Sequence, residues 1–295
     1  MTYVIAEIGV NHNGKLDLAE KLIFLAKKAG ADAVKFQSFQ ADKLARKDTP
    51  KTTYQLLNDK EQRSHYEMLK SLELTKDDFI KLRDISKKIN LDFIVTPYGE
   101  DDLKNLIDIG IDIIKIASAD LTDKSLIESA CRTHLPLIIS TGMSTLHEIQ
   151  RTCETINDHG INDFSLLHCT SSYPAENNSL NVKAINQLKR FTKKVGYSDH
   201  SKEGLGSYIA AAYGAEIFER HITLDKNMEG PDHHCSDELK DFSCYVKNIK
   251  AIKLAIGNGI KDIHESEENM KIVSRKSAYL KIDVKKGSPI NVKDF

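Results

Sequence analysis

Two lysines, two histidines and several hydroxyl residues stand at matching places along this 295-residue chain, each at or just after a short run rich in Val, Ile, Leu or Phe. Lys35 and Gln37 lie in AVKFQSF, Lys115, Ser118 and Asp120 in DIIKIASAD, and Ser140 and Thr141 in LPLIISTGM. Ser198, Asp199 and His200 end KKVGYSDH, and Glu219 and His221 lie in AEIFERHITL. Glu7, Asn11, His12, Thr96, Thr170 and Ser171 take the equivalent places elsewhere. Two ammonium groups joined by Ser118, Ser140 and Ser198 suit a phosphate or carboxylate, because charge-assisted hydrogen bonds are strong in a shielded cleft. Two imidazoles that leave positions open to oxygen ligands suit Mn, Fe, Co or Zn. The bland readings are that paired histidines are hydrogen-bonded core groups and that a single serine makes a local turn bond.

The densest cluster is FERHITLDKNMEGPDHHCS, residues 218 to 236, with three histidines and a cysteine. Its histidine spacing fits no familiar zinc pattern. His221 is the expected ligand, its partner lies one strand back at His200, and His233, His234 and Cys235 read as loop residues.

These residues need a frame that brings them together. Eight apolar stretches, starting at 3, 33, 92, 112, 135, 164, 193 and 215, read as buried strands. Helical patterns alternate with them. LDLAEKLIFLAKKAG places Leu18, Leu22, Leu25 and Ala29 on one face and stops at Gly30, and Thr145 with Glu148 forms a capping box ahead of Ile149, Cys153 and Ile156. Eight strands alternating with helices predict a parallel sheet closed as a (β/α)8 TIM barrel of α/β class. An open doubly wound sheet is second, but no Gly-rich phosphate fingerprint follows the first strand. In a barrel the chemistry sits at the C-terminal strand ends. Side chains two apart point the same way, so Lys35 shares a face with Gln37, Ser198 with His200, and Glu219 with His221. The last two strands are neighbours, which brings His200 and His221 within coordination reach.

The expected barrel runs from 1 to 256, with its last helix at about 242–256. A linker and a short tail, SAYLKIDVKKGSPINVKDF, read as one strand and a turn, occupy 257–295. The polar segment 40–62 follows the second strand and is placed to cover the site. Forty-two basic and forty-three acidic side chains leave a net charge of -1, which removes the electrostatic case for nucleic acid or an anionic membrane as the main partner. No apolar run reaches the length of a membrane span, and the first ten residues lack the basic n-region of a signal peptide. Five cysteines without a C-x-x-C pair indicate neither a disulfide framework nor a structural zinc site.

In order, AEIGVNHNG, GADAVKFQ, TPYG, KIASAD, ISTGM, LLHCTSSYP, VGYSDHS and ERHITLDKNMEGPDH resemble the N-acetylneuraminate (sialic acid) synthase family of phosphoenolpyruvate-dependent nonulosonic acid synthases. The resemblance covers residues 5 to 236. It implies condensation of phosphoenolpyruvate with open-chain N-acetylmannosamine or a related amino sugar, giving a nine-carbon keto acid and phosphate. It also implies a divalent ion, Mn or Mg, on His200 and His221. Phosphoenolpyruvate would contact Lys35, Thr96, Lys115, Ser118, Ser140, Ser171 and Ser198, and the sugar Gln37, Tyr173 and Asp232. Glu7 and Asp120 would be the catalytic acids. The absent signal pattern and the implied substrates predict a cytoplasmic location, and a homodimer is what the resemblance suggests.

Three departures stand out. Ser118-Ala119-Asp120 replaces the family's common Ser-Gly-Glu, and Ser171 stands where some members have asparagine. The tail matches only the beginning of the antifreeze-like domain that covers the partner subunit's site in the family. Two other readings remain open: a metal-dependent aldolase that does not use phosphoenolpyruvate, and a non-catalytic sugar-binding barrel.

Overall fold

The computed structural model describes residues 2–51, Leu56 and residues 63–295. Eight strands form in chain order: β1 (Tyr3–Gly9), β2 (Ala33–Ser38), β3 (Asp92–Pro97), β4 (Ile113–Ile116), β5 (Leu137–Ser140), β6 (Phe164–Cys169), β7 (Lys194–Asp199) and β8 (Ile217–His221). Each pairs in parallel with the next, and β8 returns to β1 to close the barrel with His221 opposite Glu7. The structure is therefore the (β/α)8 barrel expected from the alternation of apolar runs.

Side-chain alternation divides the strand residues between two layers. On β1, Val4, Ala6 and Ile8 belong to the large core between sheet and helices, whereas Ile5 joins Ala33, Ile94, Ile138 and Leu167 in a separate cluster inside the barrel. Ile113 and Ile217 pack against that inner cluster. These residues floor the site.

The helices are fixed locally before they dock. Thr145 and Glu148 form the expected capping box at the start of Leu146–Asp158, whose Ile149, Cys153 and Ile156 are buried. Leu16–Ala29 ends on Gly30 in the left-handed region, as expected, but its buried stripe is Ala19, Leu22, Ile23, Ala26 and Ala29. Leu18 and Leu25 are only partly buried, because small alanines let the helix approach the sheet closely on the neighbouring face. The last barrel helix starts earlier than expected, at Leu239, and runs to Ile256.

Segment 40–62 includes the short helix Ala41–Leu44; its positions 52–55 and 57–62 lie outside the described residues. Backbone contacts divide the chain into units ending and beginning at Ile256 and Gly257. The second unit holds the helix Glu268–Ser274 and two single 3-10 turns, Glu265–Glu267 and Val292–Asp294. The strand expected in the tail does not form, since a strand requires an edge to pair with and this unit contains none. Among the described residues, no helix is long and apolar enough to cross a membrane.

Candidate active site

Two positions beyond each of these seven floor residues, and beyond Gly196 on β7, a side chain lines one cavity. From β1 to β8 these are Glu7, Lys35, Thr96, Lys115, Ser140, Cys169, Ser198 and Glu219, and the cavity they line measures about 630 Å³. The next residues outward on the same faces include Gln37, Ser171, His200 and His221, joined at the rim by Tyr98, Ser118, Met143, Ser172 and Tyr173. The two-residue period that packs the barrel's inside thus becomes polar at the level where the strands end.

Two carboxylates and two ammonium groups make the charged centre. Glu7, Lys35, Lys115 and Glu219 are all buried, at 1%, 3%, 2% and 5% exposure. Lys35 Nζ lies 2.8 Å from Glu7 Oε2 and donates to Thr96 Oγ1 at 3.2 Å. Lys115 Nζ donates to Ser140 Oγ at 2.7 Å and to the Ile116 carbonyl at 3.2 Å. Glu219 sits between them: Oε1 accepts from Ser198 at 2.8 Å, and Oε2 lies 3.8 Å from Lys35 and 3.7 Å from Lys115 without accepting a hydrogen bond. Burial would raise the Glu219 carboxyl, but Lys115, Lys35 and Ser198 hold it down at about 2. Glu7 is raised instead, since burial and the charge of Glu219 outweigh Lys35. Burial also lowers Lys115, with Lys35 repelling it and Glu219 opposing the shift.

The imidazoles form a second group. The His200 and His221 ring centres are 5.7 Å apart, and Tyr173 packs against both at 4.2 and 6.1 Å. Burial lowers both histidines, His221 well below the ordinary value, so they are neutral near pH 7 and retain a lone pair for a ligand. His200 Nδ1 lies 2.9 Å from the Thr170 carbonyl, which directs the lone pair to Nε2. His221 Nδ1 is buried with no hydrogen-bond partner and stands 3.9 Å from Asp232 Oδ2. Among the described residues no group of three or more His, Cys, Asp or Glu is arranged to hold a metal. The fit is to an ion that takes two imidazoles from the protein and its remaining ligands from oxygen atoms of substrate or water.

Ser118 lies in the 3-10 turn after β4 and accepts from the Gly142 amide at 3.0 Å. A Cβ at Gly142 would sit 2.3 Å from Ser171 Oγ and 2.9 Å from Ser118 Oγ, so only glycine lets the β5 loop close over these hydroxyls. Asp120 ends the same turn but is not among the cavity-lining residues. Its half-buried carboxyl is pushed up to about 6 by burial and then by Asp123, and Oδ2 has no hydrogen-bond partner. Asp232 lines an adjoining cavity that shares Gln37, Tyr98, Tyr173 and His221 with the first. Burial, then the charge of Glu7, pushes Asp232 up to about 7.

His233 is fully buried away from this pair. Its Nδ1 lies 2.7 Å from Thr223 Oγ1 and its Nε2 3.2 Å from Asn13 Oδ1, while Asn11 Nδ2 donates to Ile222 O at 2.8 Å and Ser236 Oγ at 2.7 Å. The β1 loop thereby holds the β8 loop that carries Asp232. Behind the histidines, the buried Arg220 guanidinium pairs with Asp237 and donates to Ser201 O at 2.8 Å, tying the ends of β7 and β8 together.

Sequence reasoning put Glu219 on the His221 face without assigning it a task, and it gave Cys169 no place at the site. Both are signalled by the same count of two, from Ile217 and from Leu167. Tyr98, Met143 and Ser172 come from loops, whose course no periodicity reveals.

Comparison with known proteins decides the family. Residues 22–261 match the NeuB family. The chain belongs to the NeuB family. It is 39% identical to the N,N'-diacetyllegionaminic acid synthase of Legionella pneumophila over 99% of this chain and 84% of that one. It is 37% identical to the N-acetylneuraminate-9-phosphate synthase of Drosophila melanogaster over 84% of this chain and 68% of that one. Among solved structures, the N-acetylneuraminic acid synthetase of Leptospira borgpetersenii superposes with a TM-score of 0.82 at 34% identity, covering 92% of this chain and 90% of that one. NeuB family relatives of this kind are nonulosonic acid synthases, and this chain is an enzyme of that family.

Proposed function

We propose that this NeuB family enzyme condenses phosphoenolpyruvate with the open-chain aldehyde of a 2-acetamido sugar. One observation carries the reading: two buried ammonium groups, their hydroxyl partners and a neutral imidazole pair line a single cavity at the C-terminal barrel face.

Lys35 and Lys115, with Thr96, Ser118, Ser140, Ser171 and Ser198, hold the carboxylate and phosphate of phosphoenolpyruvate by charge-assisted hydrogen bonds. Gln37, Tyr173 and Asp232 orient the sugar so that its C1 meets C3 of the enol, which turns a bimolecular encounter into a positioned one. The C3–C1 bond forms as the aldehyde oxygen gains a proton. Water adds at C2, which has become electron-poor, the C2–phosphate link breaks, and a nine-carbon keto acid and inorganic phosphate remain. Glu7 and Asp232 hold or move these protons in this reading, which is supported by the burial that keeps both carboxyls above the usual carboxylate range. Asp120, set back from the cavity, shapes the Ser118 turn and acts on the substrates only if they draw that turn inward. His200 and His221 would hold a divalent ion, Mn or Mg, which when bound supplies Lewis acidity toward the sugar aldehyde.

Both substrates are soluble metabolites, which supports a cytoplasmic site of action. Residues 257–295 correspond in this reading to the beginning of an antifreeze-like segment, and a homodimer is the assembly that goes with it. The test is incubation with Mn, phosphoenolpyruvate and a panel of 2-acetamido sugars. Phosphate and keto acid should appear together only when a sugar is present, and no release with any sugar would refute the proposal. Keto-acid turnover without phosphoenolpyruvate would favour an aldolase.

A further inference from the structure

Sulfur stands at the site in two forms, and solvent reaches one of them. Cys169 lines the cavity but is buried, with its Sγ 3.1 Å from Ser118 Oγ, and burial raises its thiol. Burial raises the thiols of Cys131, Cys153 and Cys235 as well, so little reactive thiolate forms at any of the four. Met143 lines the same cavity and is 72% exposed. Met68 is buried, Met228 is half-buried, and Met270, at 63%, belongs to the separate unit 257–295.

The backbone holds the Met143 thioether at the rim. Its φ of +58° lies in the left-handed region, uncommon for a residue other than glycine. Both backbone groups of the preceding residue are tied down: Gly142 N donates to Ser118 Oγ at 3.0 Å, and Gly142 O accepts from Ser144 Oγ at 3.2 Å. The helix Leu146–Asp158 begins just beyond, fixed by its capping box. The turn cannot withdraw the methionine without breaking these bonds.

We propose that Met143 is a modification site, where hydrogen peroxide converts the thioether to the sulfoxide and so weakens the cavity's hold on phosphoenolpyruvate until a reductase reverses it. The effect on phosphoenolpyruvate rests on the proposed condensation. In the step an S–O bond forms, the O–O bond breaks and water leaves, the sulfur giving up two electrons; two thiols later return them, leaving a disulfide and water. A flexible apolar group thereby becomes a polar one whose oxygen accepts hydrogen bonds. The hydroxyls of Ser171 and Ser118 lie beside the turn, since a Cβ on Gly142 would sit 2.3 and 2.9 Å from them. Donating to the sulfoxide, they are lost to the anionic substrate, and one hydrogen bond to a charged group is worth about 10-fold or more in affinity.

The experiment treats the enzyme with hydrogen peroxide before Mn is added, removes the peroxide with catalase, and measures phosphate release and the mass of the Met143 peptide. That peptide should gain one oxygen, and the KM for phosphoenolpyruvate should rise about 10-fold with kcat within about twofold. Methionine sulfoxide reductase with dithiothreitol should restore the KM, whereas dithiothreitol alone, which reverses thiol oxidation, should not. Met143→Leu, compared with its own untreated control, should keep its KM, and Met270→Leu should respond as wild type does. An unoxidised Met143 at a dose that oxidises Met270, an unchanged KM once Met143 carries oxygen, or an equal loss in Met143→Leu would overturn the inference and leave the condensation standing. The wild-type peptide mass and KM decide even if a variant fails to fold. Should no sugar give turnover, the condensation falls, and thermal stabilisation by inorganic phosphate tests the site alone: a smaller shift after oxidation supports the inference and an equal one overturns it.

Discussion

Replacing Glu219 by glutamine removes one negative charge from the centre of the site while keeping an oxygen for Ser198. Oε2 stands 3.8 Å from Lys35 and 3.7 Å from Lys115, so each ammonium loses an attraction of about 4 kcal/mol at an effective dielectric near 20. The neutral amide is easier to bury, which returns part of that sum. Breaking a buried pair typically leaves a net loss of about 3–5 kcal/mol. At 2–4 °C per kcal/mol for a domain of this size, the melting temperature should fall by roughly 6–20 °C. Thermal unfolding at pH 7 measures it. Inorganic phosphate provides the second arm, because an anion over Lys35 and Lys115 supplies the missing charge: it should stabilise the variant more than the wild type. A melting temperature unchanged within about 2 °C, with equal phosphate stabilisation in both proteins, would refute Glu219 as the shared counter-charge.

Three shorter expectations follow from the same geometry. His200→Ala and His221→Ala should each abolish divalent-metal binding in calorimetric titration, whereas His233→Ala should retain it; equal loss in all three would show that the ion sits elsewhere. His12 and His233 are held down at about 4, chiefly by burial. Their stability contribution is therefore whole above the unfolded value near 6.5 and is lost as pH falls toward 4, a slope that His233→Gln should flatten in melting curves taken from pH 7 to 4.5. A Cβ on Gly14, whose φ is +67°, would lie 2.2 Å from Ser71 O. Gly14→Ala should cost about 2–4 kcal/mol in denaturant unfolding, and a neutral result would show that the β1 loop and the helix His65–Leu72 separate freely.

The barrel was legible because its signal is periodic. Apolar runs alternating with amphipathic helices predict eight parallel strands, and counting by two along each strand places Lys35, Thr96, Lys115, Ser140 and Ser198 on one inward layer. His200 with His221 follows from the adjacency of the last two strands. What periodicity could not show lies off the strands. The adjoining cavity beside Asp232 is lined by Val10, just after β1, and by the helix His65–Leu72, segments remote in sequence. The withdrawal of Asp120 depends on a 3-10 turn that its strand pattern does not announce. The burial of His233 depends on Thr223 and Asn13, and Asn13 comes from the opposite end of the chain. The tail misled for a physical reason: an alternating segment becomes a strand only beside another strand, and the sequence of the segment does not say whether one is there.

The central claim is that a carbon–carbon bond forms between the two substrates in this cavity. Phosphoenolpyruvate labelled with carbon-13 at C3 and the amino sugar labelled at C1 can be incubated with enzyme and Mn and followed by NMR. A one-bond coupling between the two labels, growing in step with inorganic phosphate, is the predicted result. Labelled pyruvate and free sugar without that coupling would contradict it.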